Sequence, residues 1–109
     1  MAKLINKLVR NRIPSICGEN GQVPKTRILE SAEYTRELRR KLKEEVEEYL
    51  ASNEPEELAD IVEVIEALAE DQGISFEEIM RIKKKKQAKN GTFSDKVFLI
   101  SVEDLHEES

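Results

Sequence analysis

The sequence predicts a mainly α-helical fold, an antiparallel helical bundle with a minor β-ladder from its terminal segments, and three observations carry the prediction. Apolar residues recur at helical spacing through Tyr34, Leu38, Leu42, Val46, Tyr49 and Leu50, and again through Leu58, Ile61, Val62, Val64, Ile65, Leu68 and Ala69. The breaks between these stripes are short, and short connections make consecutive helices antiparallel neighbours. Aromatic residues are only 5% of the 109 residues, with no Trp, whereas Leu, Ile, Val and Phe number 30, so the core must be aliphatic. A chain of this length makes one domain, here 1–109 with its core at about 7–100 and a mobile tail at 101–109.

The elements follow in chain order. Pro14 suits the first turn of a short helix that stops at Gly18 or Gly21. Val23 to Leu29 is a candidate strand whose partner is Lys96-Val97-Phe98-Leu99-Ile100. Ser31 is the expected N-cap of the first long helix, which runs to about Ala51. Asn53-Glu54-Pro55-Glu56 reads as a new start, with Asn53 as cap, and the second long helix ends at Gly73. Ser75-x-x-Glu78 is a capping box opening a third helix that ends near Asn90-Gly91.

Several function classes fall away. No apolar run approaches the ~20 residues of a membrane span, and the first residues lack the apolar stretch of a secretory signal, so a cytoplasmic protein with no membrane partner is expected. The lone Cys17 cannot form an intramolecular disulfide and reads as buried packing on the short first helix. The lone His106 sits in a polar tail. Zinc sites of Cys and His, and Ser-His or Cys-His nucleophiles, are thereby excluded. Chemistry here must run on carboxylates, amines and a hard metal.

The formal net charge of −5 conceals a segregation: residues 1–43 sum to +7, residues 44–78 to −14 with no Lys or Arg, and residues 79–109 to +2. Most of the 14 central carboxylates read as solvated helix face. Two groups differ. Glu44-Glu45-Val46-Glu47-Glu48 on the first long helix and Glu57-Leu58-Ala59-Asp60 on the second each place acids three apart, on one helix face. Measured from Leu42, Glu45 lies about 60° and Glu48 about 120° off the apolar stripe, so both border the core. Glu57 and Asp60 share the side of Val64, while Glu63, Glu66 and Glu70 lie on the opposite flank. Four carboxylates at one seam repel each other, and a divalent cation relieves this with better geometry than protonation. Mg²⁺ is held by a few carboxylates together with substrate phosphates, which directs attention to phosphate chemistry.

Positive charge for phosphate oxygens is available in two clusters, Lys7, Arg10 and Arg12 before Pro14, and Arg81 to Lys86 with Lys89, where Lys84 and Lys86 are the candidates. The plainer readings of the lysine run are solubility and complementation of a helix C-terminus. A nucleic-acid polymer is not an expected partner, since the net charge is negative and stacking aromatics are few.

In this order the features resemble the MazG-like members of the all-α nucleoside triphosphate pyrophosphatase superfamily, which includes phosphoribosyl-ATP pyrophosphohydrolases and dimeric dUTPases. The resemblance rests on Glu44-Glu45-Val46-Glu47-Glu48 followed by Glu57-Leu58-Ala59-Asp60, on Lys7-Leu8-Val9-Arg10-Asn11-Arg12-Ile13-Pro14, and on Lys89-Asn90-Gly91-Thr92-Phe93 leading into Val97-Phe98-Leu99. It implies hydrolysis of a nucleotide between the α and β phosphates, with Mg²⁺, or Mn²⁺ in its place, as cofactor. The products are a monophosphate and pyrophosphate, and clearance of non-standard nucleotides is a fitting role. The family's metal ligands fall on Glu45, Glu48, Glu57 and Asp60, with Glu44 and Glu45 as the catalytic carboxylates and Glu44 helping to orient or deprotonate water. A homodimer or homotetramer is implied as well, in agreement with the thin stability margin of a chain this small.

One departure is the short interval Tyr49 to Glu56 between the acidic groups, which makes a tight turn and an altered pocket. Asn6, Asn11, Tyr34 and Tyr49 are capable of contacting a base, although structural or solvent-facing roles are simpler. Two other readings stand beside the enzyme: a non-catalytic nucleotide-binding or regulatory oligomer that keeps the carboxylates, and a purely structural helical module.

Overall fold

The computed structural model describes residues 1–105, so His106 and the last residues of the expected tail lie outside the described residues. Four helices occur among them: α1 (Ile13–Glu19), α2 (Ser31–Ser52), α3 (Pro55–Asp71) and α4 (Phe76–Asn90). The chain divides into two units, Met1–Phe76 and Glu77–Ser109. The first holds α1 to α3, and the second holds nearly all of α4. No helix among the described residues is long and apolar enough to cross a membrane.

Within the first unit, α2 packs on α3. The two run antiparallel, since the start of α2 meets the end of α3 where Thr35 Oγ1 donates to Asp71 Oδ2 at 2.7 Å. The core between them is small and aliphatic, as expected: Leu38, Val64 and Ala69 are the buried apolar residues. The interval between the helices is as tight as its length requires. Asn53 ends α2 in the left-handed region at φ 59, with its N–H donating to the Tyr49 carbonyl at 2.7 Å. Asn is one of the few residues that tolerates that conformation. Ser52 Oγ then accepts from the Glu54 N–H at 3.2 Å, and Pro55 opens α3. Asn53 is therefore the stop of α2 and not the cap of α3, a role that falls to Glu54. Likewise the residue before α2 is Glu30, one position ahead of the expected Ser31, and its side chain makes no capping bond. Gly73 closes α3 at φ 76, where its N–H bonds the Glu70 carbonyl and that of Ile74 bonds the Ala69 carbonyl, both at 2.9 Å.

The expected β-ladder is absent: no strand forms among the described residues. Val23 and Ile28 are 96% and 93% exposed, and Phe98 and Ile100 are 88% and 89% exposed. Strand preference is largely a preference for packing against cross-strand neighbours, so a run of β-branched residues without a partner stays unpaired. Pro24 also removes a backbone donor from the first segment. Cys17 differs from expectation too. It is only half-buried, because α1 is seven residues long and buries none of them.

The hairpin has two unlike sides. Counted from Leu38 on α2 and Val64 on α3, the pairs Val46/Leu50 and Leu58/Val62 sit about 80–160° round in the same rotational sense. In an antiparallel pair that sense is one side of the hairpin. All four remain partly or largely exposed, Leu50 at 70%. The carboxylates occupy the seam and the opposite side.

With so few buried apolar groups, each carries much of the unit's cohesion. Leu38 is 3% exposed, so Leu38→Ala should lower the unfolding free energy by about 2–4 kcal/mol, read as a shifted urea midpoint. A change below about 0.5 kcal/mol would mean that the α2–α3 seam is not the core.

Candidate metal centre

Helical spacing and hairpin register together bring the acids to one place. Glu44, Glu45 and Glu48 come from two successive turns of α2; Glu57 and Asp60 come from the first two turns of α3, just across the tight turn. Two overlapping groups result, Glu44/Glu45/Glu48 and Glu45/Glu57/Asp60, each with one carboxylate oxygen per residue within 4.8 Å of the others. All five acids singled out in the sequence thus meet, and Glu45 belongs to both groups.

Glu45 is more buried than its helical angle suggested. It is 6% exposed, in the α2 stripe itself, because that stripe centres on Leu38 and not on Leu42. Glu44, Glu57 and Asp60 are intermediate, and Glu48 is exposed. Two buried oxygens, Glu45 Oε2 and Glu57 Oε2, have no hydrogen-bond partner. Buried polar atoms are nearly always satisfied, so a pair of unsatisfied carboxylate oxygens at one seam points to a missing partner.

The electrostatics agree. Loss of water raises the Glu45 pKa above its ordinary 4.5, with the adjacent Glu48 pushing the same way and Lys41 opposing. Glu57 is likewise raised, first by loss of water and then by the charges of Asp60 and Glu45. Glu44 moves the other way, held below 4.5 chiefly by its hydrogen bond from Lys7. Crowded acids whose environments push them apart are a recurring property of functional sites.

Two of the basic residues singled out in the sequence arrive as well. Lys7 Nζ donates to Glu44 Oε1 at 3.0 Å, and the Arg10 guanidinium donates to Asp60 Oδ1 at 2.7 Å. Arg12 does not join them; it sits at the N-cap of α1. Lys84 and Lys86 lie on α4, exposed, in the second unit. On that helix Arg81 pairs locally with Glu78. Tyr34 and Tyr49 are half-buried on α2, whereas Asn6 and Asn11 are exposed.

A cation at the cluster escaped the sequence reading. Lys41 Nζ lies 3.6 Å from Glu44 and 3.3 Å from Glu45. Its signal was present, since positions three and four apart on a helix are neighbours. Division of the chain by net charge hid it by ending the basic segment at residue 43.

The donor set is wholly carboxylate, which suits a hard cation such as Mg²⁺ or Mn²⁺ and not a soft one. The residues fit such an ion on the strength of the two unpartnered oxygens.

The raised pKa of Glu45 has a signed consequence for the metal-free protein. The folded state holds that proton more tightly than the unfolded chain, so ionisation as pH rises above about 4.5 removes stability. Glu44 contributes in the opposite sense, with stability present above its ordinary range and lost as pH falls. Glu45→Gln should therefore stabilise the metal-free protein at pH 7 and weaken its loss of stability between mildly acid and neutral pH. Thermal melts across that range, with chelator present, test this; a less stable variant at pH 7 would contradict it. No family model, no curated protein and no solved structure matches the chain.

Proposed function

We propose that the chain is a Mg²⁺-dependent nucleotide pyrophosphohydrolase of the MazG-like kind, acting in the cytoplasm. Its substrate would be a nucleoside triphosphate or related nucleotide, cut between the α and β phosphates, with clearance of non-standard nucleotides as the role. The observation that carries this reading is the pair of buried, unpartnered oxygens, Glu45 Oε2 and Glu57 Oε2, inside an all-carboxylate cluster edged by Lys7 and Arg10.

Glu45, Glu48, Glu57 and Asp60 are the residues that hold the ion, Mg²⁺ or Mn²⁺. When bound, the ion activates water and neutralises charge developing on the phosphates. Glu44 borders the cluster, where its carboxylate can accept a hydrogen bond from the attacking water and keep it oriented. Its depressed pKa keeps it an acceptor at neutral pH. Lys7 and Arg10 stand at the same edge with side chains about half exposed (52% and 54%), which supports a role in neutralising the departing pyrophosphate. The other reading, a non-catalytic oligomer, takes its support from those same ion pairs, which offset part of the acidic charge with no metal at all.

Assembly belongs to the same proposal. The side of the hairpin opposite the acids carries Val46, Leu50, Leu58 and Val62 partly bare, and a second copy covering it gives a homodimer, or a homotetramer by repetition.

Pyrophosphate release from a panel of nucleotides should require Mg²⁺ or Mn²⁺. Glu45→Gln and Asp60→Asn should each lower kcat at least about a hundredfold with the fold retained. If no nucleotide is cleaved while Mg²⁺ still binds, the regulatory reading replaces the catalytic one. Light scattering provides a separate check on assembly, with Leu50→Glu/Val62→Glu expected to halve the mass; an unchanged mass would move the interface elsewhere.

A further inference from the structure

The charge balance at the seam bears on how many ions it takes. Five carboxylates meet there, Glu44, Glu45, Glu48, Glu57 and Asp60, and three cations reach them, Lys7, Arg10 and Lys41. With the acids ionised the sum is −2, the charge that one divalent ion neutralises. The cations are of two kinds. Lys41 belongs to α2, one turn before Glu45, and its position is set by the helix. Lys7 and Arg10 come from residues 1–10, which have no regular secondary structure.

Two ion pairs tie the basic segment to the hairpin. Its apolar anchoring is limited to the half-buried Leu8 and the partly covered Val9, 40% exposed, since Leu4 is 82% and Ile5 55% exposed. Its two ion pairs span 37 and 50 residues of sequence to reach the hairpin. Such exposed pairs are weak individually and are readily exchanged for other anions.

The atoms that the segment occupies also matter. Lys7 takes Glu44 Oε1 and Arg10 takes Asp60 Oδ1, whereas Glu45 Oε2 and Glu57 Oε2 have no partner. Glu45, 6% exposed with that oxygen unpartnered, lies in both candidate groups. One ion can therefore use the oxygens of Glu45 and Glu57 with the segment in place. A second ion has to share carboxylates that already face positive charge, Glu44 toward Lys7 and Asp60 toward Arg10, so it enters against the repulsion of both cations.

We infer that Lys7 and Arg10 are tethered counter-cations which limit the cluster to one tightly held divalent ion, until a polyphosphate draws them away and a second ion enters. The inference rests on the metal-binding reading above and adds to it the control of occupancy. With both side chains withdrawn the cluster stands at −4, the charge of two divalent ions. Polyphosphate and second ion then favour each other's binding, because each gains from the departure of the same two cations.

The test counts Mn²⁺ ions by electron paramagnetic resonance, with Mg²⁺ calorimetry in parallel, on the full chain and on Lys7→Gln/Arg10→Gln. The unaltered chain should bind one Mn²⁺ tightly and a second on the order of tenfold more weakly than the double variant does, with the first ion nearly unchanged between them. A second ion bound no more tightly by the variant overturns the inference, as do two equal ions on the unaltered chain. If neither protein binds Mn²⁺, the metal reading itself fails, a distinct result.

Trypsin supplies a measurement that does not depend on the variant folding. Cleavage of the unaltered chain after Lys7 and Arg10 should accelerate at Mn²⁺ concentrations that fill the second site, but not at those that fill only the first. A rate that is flat across both ranges overturns the inference.

Discussion

A carboxylate buried between two helices is the constraint on which this structure turns. Glu45 occupies a position in the α2 stripe where an apolar residue would pack better, and one of its oxygens lacks a partner. Its burial raises its pKa, and the nearby acids on both helices do not relieve it. A hairpin with so small an apolar core has little reserve to hold such a group. A carboxylate there costs the fold more than an apolar side chain would, unless it is partnered. The rest of the first unit can be read as compensation. Lys41 leans on Glu45 from one turn away, and Lys7 and Arg10 bring positive charge from the distant end of the unit.

This division of labour gives the hairpin its two sides. One side gathers charge at the seam, and the other gathers aliphatic residues that the unit does not bury. Placing both on the same two helices has an economy. The register that lines up Glu45 with Glu57 and Asp60 also lines up Val46 and Leu50 with Leu58 and Val62, so whatever fixes one fixes the other. Association across the apolar side would stiffen the very helices that hold the carboxylates.

Much of this was legible in the sequence, for reasons that can be stated residue by residue. The stripes from Tyr34 to Leu50 and from Leu58 to Ala69 located α2 and α3 to within a residue or two, because 3.6-residue periodicity is a local property. Spacing of three along each helix likewise made Glu45 with Glu48, and Glu57 with Asp60, readable as pairs. What escaped depends on tertiary placement. Glu45 lies deeper than its angle from Leu42 suggested, since only packing against α3 decides which residue centres the stripe. Val97 to Ile100 and Val23 to Leu29 carry strand composition but no ladder, as pairing is a property of two segments together. Lys41 lay one helical turn from the acids and was hidden by a division of the chain made on charge alone. Lys7 and Arg10 were singled out as phosphate ligands, and their present partners, Glu44 and Asp60, are 37 and 50 residues away, beyond what local spacing can convey.

The hairpin is clasped at both ends. At one end Asn53 in its left-handed conformation forces α2 and α3 together over a minimal turn, and at the other Thr35 holds Asp71. The carboxylates lie close to the turn, where the helices have least freedom to spread. Rigidity of that kind discriminates by ionic radius. A small ion that takes oxygens at about 2.0–2.1 Å and keeps much of its water fits a gap of fixed width, whereas a large one that gathers six to eight oxygens at about 2.3–2.6 Å requires the walls to move. On the metal-binding proposal, the conformation of a single turn residue would thereby bear on which size of divalent ion the seam accepts.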